Sequence, residues 1–502
     1  MMAIGLPLGK FLIGIGLFTV GINWLLETAP GLTPAIYFPN PRWRKTGSLW
    51  LEKMRTRWNY LRARPSVLIL AGILLLHLIG ASWATDQHEA WKDIRIKLPL
   101  FVLPLVIGTT RPLEKKIFEI LLFVFTAAVI ISSISTVLIA NELIIPKKPV
   151  NDLRDASVFV SLLRLALMSV LSIFLFGRWL IREKKWLPRT GCLVAMVWLT
   201  WFLLYMQSLT GIVILFAGGF FLLVMLAAHH KRKKLVTVLS LFFLAFTIGA
   251  GVVIKNAYDE FYNFHPVSAT LEKKSPRGAL YLHAPENGMV ENGHPVMVYI
   301  CWHELDSVWN KRSAIPLNGG SDKKGNAVAA TLLRYMASKG LRKDADGLSQ
   351  LAAGEIHAIE NGETNALNAQ RTPIGRRLYQ VFWELYHFRQ GQNPSGHSVS
   401  MRLVLANTAI GCIKEKPLTG FGTGGQKAAF VRHYEKNGDS IDEKFQWLHA
   451  HNQFLAIGVT LGIPALLYFL FSLWYPAKNM NRWGNYLYLA FFITFFLSCF
   501  DD

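Results

Sequence analysis

Cysteine is scarce in this chain. Its 502 residues include four, Cys192, Cys301, Cys412 and Cys499, and none falls in a CxxC or zinc-type spacing, which leaves no disulfide framework and no metal site to expect. Cys301 and Cys412 share one soluble stretch and could pair in an oxidising compartment. Acidic residues are also few, 32 Asp and Glu against 53 Lys and Arg. No repeat of fixed period and no low-complexity tract is present, which excludes solenoids and long disordered linkers. The glycine-rich stretch Pro417-Leu418-Thr419-Gly420-Phe421-Gly422-Thr423-Gly424-Gly425 lacks the Gly-Lys-Ser/Thr ending and the preceding strand of a nucleotide loop. It reads as a tight helix exit, and no cofactor is indicated.

What the sequence has is apolar length. Hydrophobic residues make up 52%, and ten runs approach the ~20 residues a helix needs to cross a bilayer. They fall near 4–26, 66–84, 97–110, 117–141, 157–181, 191–206, 211–228, 235–254, 452–474 and 484–500. The third is short enough for a half-crossing, and the sixth and seventh form one run broken by a tight hairpin near Gln207 to Gly211. The organisation expected is therefore a membrane domain at 1–254, one large insert at 255–450 and C-terminal membrane helices at 451–502.

The net charge of +21 would suggest nucleic acid in a soluble protein. Its location argues otherwise: residues 255–450 hold 23 Lys and Arg against 19 Asp and Glu, a net of +4, which leaves +17 on the membrane part. Basic residues beside membrane helices set orientation and meet anionic lipid, so membrane lipids are expected partners and nucleic acid is not. Arg42, Arg44, Lys45, Lys53, Arg55, Arg57, Arg62 and Arg64 put the loop after the first helix in the cytoplasm. Alternation then predicts cytoplasmic loops at 111–116, 182–190, 229–234 and 475–483, and each carries Lys or Arg. The insert and both ends of the sequence fall on the opposite face, a parity that leaves room for one further helix at each end. The first helix has no basic segment before it and no small-residue cleavage site, so it reads as an anchor.

Within the insert, Ala327 to Lys339, Arg376 to Arg389 and Val399 to Lys416 show helical spacing of apolar residues. The fold class is thus all-α: a polytopic transmembrane helical bundle with a large, mostly helical insert. Several polar groups stand out. His449-Ala450-His451-Asn452-Gln453 lies where the insert returns to the bilayer, and a neutral imidazole there could take a proton from a sugar hydroxyl or simply anchor the interface. An HxH pair could ligate a metal, but nothing completes such a site. Arg164 lies inside an apolar helix, at a cost of at least ~2.5 kcal/mol on insertion scales; it either snorkels or holds a lipid head group or diphosphate. Arg402 opens a helix, and Arg371, Arg376, Arg377 and Arg389 lie shortly upstream. Such a cluster suits forked binding of phosphate, although most of its members individually suit a solvated helix face.

The pattern of Arg402, then Pro417-Leu418-x-Gly420-x-Gly422, then His451-Asn452 and Gly462, resembles the O-antigen ligase family of bacterial envelope glycosyltransferases. Glu291-Asn292-Gly293, Asn310-Lys311-Arg312-Ser313, Arg334 to Gly340 and Asn393 to Ser398 look like the long-loop ligases of that family, so the resemblance covers most of 290–465. Two departures are that Leu162-Leu163-Arg164-Leu165 keeps only the arginine of a His-Ile-Arg-Phe-type run, and that Ala465 replaces the usual Gly, Thr or Tyr. The ten runs are also fewer than the helices such ligases usually carry.

The resemblance implies a GT-C-like fold in the bacterial inner membrane, with its active site facing the periplasm. It implies transfer of a glycan from an undecaprenyl-diphosphate-linked donor to a lipid A-core acceptor, with inversion and without a metal or nucleotide sugar. His451 would be the base or a positioning group, and Arg402 with Arg164 would hold the diphosphate. Arg376, Arg377, Asn452 and Gln453 would line the substrate site, and Trp302, Trp309 and Trp383 could stack on sugars. An O-antigen polymerase or a protein O-oligosaccharyltransferase would share the donor chemistry. A transporter or flippase would usually show internal symmetry, and none is visible.

Overall fold

The computed structural model describes residues 2–26, 46–110, 112–146, 153–265, 271–438, 441–479 and 484–500. Arg42, Arg44, Lys45, Arg111 and Arg482, which contributed to the orientation, lie outside them. The protein is an all-α multi-pass membrane protein: helices occupy every apolar run, and the sheet among the described residues is a pair of two-residue strands. Among the described residues, six helices are long and apolar enough to cross a membrane, or seven if a bent pair counts as one span. The other runs are shorter for local reasons. The first breaks at Gly9 (φ 143°), giving Met2–Leu8 folded back on Lys10–Leu26. Pro99–Thr109 has 11 residues, about 16 Å at 1.5 Å per residue, half of a bilayer core.

Basic residues near the first turn of the bundle tie helix ends together. Pro65 opens the Pro65–Ala81 helix and bends it by 93° from the preceding one, because proline cannot continue a helix whose last turn it would clash with. Beside that corner, Arg57 donates to the Trp24 carbonyl at 3.0 Å and Arg64 to the Gly108 carbonyl at 2.8 Å. Each guanidinium thus satisfies a carbonyl near a helix C-terminus, where the dipole favours a cation.

The Gln453–Asn479 helix is interrupted at Gly462 (φ 80°, ψ 179°), two residues before Pro464. The break frees backbone groups that must be paired inside a membrane protein, and the glycine-rich loop pairs them. Phe421 and Gly422 donate to the carbonyls of Val459 and Thr460, each at 2.9 Å, and Ile463 donates to the Pro417 carbonyl at 2.7 Å. A Cβ on Gly420 (φ 61°) would meet Thr460 backbone at 2.5 Å, and one on Gly462 would meet the Leu418 carbonyl oxygen at 2.5 Å. The loop goes on to Thr423, whose N–H and hydroxyl donate to the carbonyls of Gly80 and His77. This run is a junction between two membrane helices, in keeping with a helix exit and unlike a phosphate cradle.

The insert packs in two parts. The first is built on a core that includes Trp309, Leu332, Met336 and Ile359. Its hairpin pairs Val290–Glu291 with His294–Pro295 through Asn292 (φ 47°) and Gly293 (φ 77°), the two positive φ angles of a type I′ turn. The fully buried Glu291 accepts from Arg334 at 2.7 Å, Asn365 at 3.1 Å and the Tyr379 hydroxyl at 3.2 Å. That triad of donors explains how the carboxylate tolerates burial. The second part holds Pro373–Arg389, Ser398–Glu415 and Gln426–Asn437. Its core takes in Ala450, Leu455 and Val459, so it is continuous with the helix that returns to the membrane. Cys301 and Cys412 are both buried free thiols, so the pairing considered from sequence does not form. Buried Trp309 and Trp383 correct the expectation that they stack on sugars; Trp302 alone of the three is exposed.

Candidate functional site

A cavity of about 1300 Å³ opens where ends of membrane helices meet the insert. Its membrane-side wall comes from the ends of Lys115–Ala140, Leu162–Arg182 and Leu209–His229 and is largely apolar, with Ile139, Ile144, Ile145, Phe159, Leu162 and Leu163. Several of these are exposed, Ile145 at 91%, as side chains facing lipid can be. Its insert-side wall carries Arg377 and Arg402. A cavity with one greasy and one cationic wall is shaped for an amphiphile with an anionic head.

Arg377 is held on several sides. It donates to Gln380 at 2.7 Å on its own helix and to the Ser398 hydroxyl at 2.7 Å on the next, and lies 3.9 Å from Glu384. Glu384 is itself buried and accepts from the Val399 N–H at 2.7 Å, a carboxylate at a helix N-terminus where the dipole favours it. The loop and first turn that present Arg402 are thereby fixed to the Pro373–Arg389 helix. Beside them, His387 accepts from the Val290 N–H through Nε2 at 3.3 Å and bonds the Trp383 carbonyl through Nδ1 at 2.7 Å. Those partners need an N–H on Nδ1 only, the neutral tautomer, and burial pushes the His387 pKa down to about 4. Burial also lowers that of His397, which packs on Trp383.

His451 stands at the turn before the Gln453–Asn479 helix, half-buried and in left-handed backbone (φ 46°). A non-glycine residue there is uncommon and concentrates at functional sites. The helix it precedes runs alongside Ser398–Glu415 in the same direction, since Ile413 packs on Gly458 and Pro417 is bonded to Ile463. Arg402 lies three turns before Ile413 on the same helix face, about 16 Å back at 1.5 Å per residue. His451 is not on the cavity wall.

The other expected residues divide. Arg164 and Arg376 are exposed and do not line the cavity, although Arg164 follows directly on Leu162 and Leu163, which do. The Asn452 side chain accepts from the Leu455 N–H at 3.0 Å and so caps its helix, and the Gln453 N–H donates to the Cys499 carbonyl at 2.8 Å. Arg371 is engaged by Glu260 at 2.6 Å and lies over Tyr379. The lining residues not singled out from sequence include Asp155, in the turn before the Arg164 helix, and Gln207, in left-handed backbone (φ 52°) between two apolar spans. A polar residue at a break in an apolar run was the available signal.

The fold and this cavity define a polytopic membrane protein whose insert presents arginines to a partly apolar site at the membrane boundary. Residues 356–470 match the family model described as O-antigen ligase. The matched segment contains Arg376, Arg377, Arg402, the glycine junction, His451 and most of the broken helix; the Glu291 hairpin lies outside it. The family carries with it a role in glycosyl transfer and lipopolysaccharide biosynthesis. No significant match was found among curated proteins or among solved structures.

Proposed function

We propose that the protein is an O-antigen ligase of the bacterial inner membrane, transferring a glycan from undecaprenyl diphosphate to lipid A-core at the periplasmic face. The observation that carries this reading is the cavity itself, apolar on the membrane side and bearing Arg377 and Arg402 on the insert side. The polyprenyl chain lies along the apolar wall and the diphosphate against the two guanidiniums, whose planar forks suit phosphate oxygens. As the sugar–phosphate bond breaks, charge grows on the departing diphosphate, and fixed cations stabilise it with no reorganisation. Arg164, exposed beside the cavity wall, meets the donor at the lipid-facing mouth.

The acceptor hydroxyl gives its proton to His451, attacks the anomeric carbon from the face opposite the diphosphate, and so inverts that centre. Asp155 is the second candidate for the proton, because it is the carboxylate on the cavity wall. No step in this scheme uses a metal or a nucleotide sugar.

The test is to incubate purified protein with undecaprenyl-diphosphate-linked O-antigen and rough lipopolysaccharide, in detergent with EDTA and without ATP. Ligation by wild type, lost in Arg402→Ala and in either His451→Ala or Asp155→Asn, supports the scheme and names the base. Extension of the donor glycan with no transfer to lipopolysaccharide makes the protein a polymerase, and transfer to a protein acceptor makes it an oligosaccharyltransferase. Movement of the lipid-linked donor across a bilayer without glycosyl transfer makes it a flippase.

A further inference from the structure

A second cleft, of about 740 Å³, lies between Lys115–Ala140, Leu162–Arg182 and Trp186–Tyr205 at the ends away from the arginine cavity. Ile120, Phe123, Ile130, Phe176 and Ala195 make its inner walls, and Lys116, Glu119, Arg182 and Glu183 its rim. The acids of that rim are already committed. Glu119 accepts from buried Arg178 at 2.8 Å and from the Trp179 indole at 3.0 Å. Glu183 turns back on the N–H groups of Lys184 and Lys185 at 3.1 and 3.2 Å.

The cations are not committed to the same degree. Lys116 is exposed with no hydrogen bond or ion pair among the described residues, and Arg182 is 58% exposed and reaches Glu119 only at 3.7 Å. An apolar cleft under two cations is complementary to a lipid with a single anionic phosphate, and basic pockets between helices on the basic-loop side recognise such head groups.

We propose that this cleft is a binding site for an anionic glycerophospholipid, with its phosphate on Lys116 and Arg182 and an acyl chain between the three helices. The site is in the leaflet opposite the arginine cavity, so its occupant is not the glycan donor. The lipid holds the spacing of these three helices, two of which, Lys115–Ala140 and Leu162–Arg182, help to form the arginine cavity with their other ends.

Cys192 lines the cleft, and the other three cysteines are buried, so the native thiol reports occupancy. Full-length protein is placed in phosphatidylcholine nanodiscs with graded phosphatidylglycerol, and its reaction with a membrane-permeant maleimide is timed; Cys192→Ser identifies the signal. Phosphatidylglycerol is expected to slow labelling at least fivefold and saturably. Lys116→Gln and Arg182→Gln should each remove most of that protection without changing the rate in phosphatidylcholine alone. Equal rates in the two lipids, protection that survives in the double variant, or equal protection by inorganic phosphate would each overturn the proposal.

Discussion

The Arg377 guanidinium donates to the Ser398 hydroxyl at 2.7 Å, joining the helix that carries one cavity arginine to the first residue of the helix that carries the other. Hydrogen bonds to charged groups contribute about 1.5–3 kcal/mol. Ser398→Ala is therefore expected to lower kcat/KM for the donor by about tenfold while leaving the protein folded, measured in the purified-component transfer assay; an unchanged kcat/KM would remove this contact from the machinery.

Arg377→Ala and Arg402→Ala should each lower kcat/KM at least 100-fold, about 2.7 kcal/mol of transition-state stabilisation. Arg402→Lys keeps the charge and loses the fork, so it should fall between. Arg164→Ala is predicted to raise KM for the donor with kcat nearly unchanged, the signature of uniform binding, and Arg376→Ala to do neither.

Gly420→Ala and Gly462→Ala combine a left-handed backbone with a backbone atom 2.5 Å from the new methyl. Each should destabilise by more than Gly438→Ala, which has positive φ (71°) and open space and costs about 1 kcal/mol. Thermal unfolding in detergent orders the three; equal losses would mean that the junction yields.

His387 gives the insert a pH dependence. Its pKa is lowered from 6.5 to about 4 in the folded protein, so between those values the unfolded chain binds the extra proton, and stability falls as pH falls. The loss begins near pH 6.5, levels off near 4 and amounts to about 3 kcal/mol. Denaturant unfolding followed by Trp fluorescence should show it, and His387→Gln should flatten the curve; a curve unaltered by the substitution would contradict this.

The sequence pattern was informative where the physics is local. Apolar run length located the membrane helices, the missing Lys-Ser/Thr excluded a nucleotide loop, and Arg377 and Arg402 were legible as a cluster ahead of and within one helix. Long-range packing was not legible. Nothing near Trp309 or Trp383 reveals that their rings are buried, one bonded to the Ile315 carbonyl and the other under Arg334. Arg164 has the spacing of an intramembrane site residue, yet the face it occupies on its helix depends on how that helix meets its neighbours. The break at Gly462 makes sense only beside the loop that pairs with it, more than thirty residues upstream.

The central claim is that Arg377 and Arg402 bind the donor's diphosphate, and direct binding tests it most closely. Native mass spectrometry would compare undecaprenyl diphosphate with undecaprenol on wild type and on the Arg377→Gln/Arg402→Gln double variant. The predicted result is at least tenfold weaker binding of the diphosphate by the variant, with undecaprenol bound weakly and equally by both. Equal diphosphate binding by wild type and variant would contradict the claim and move the donor to another site.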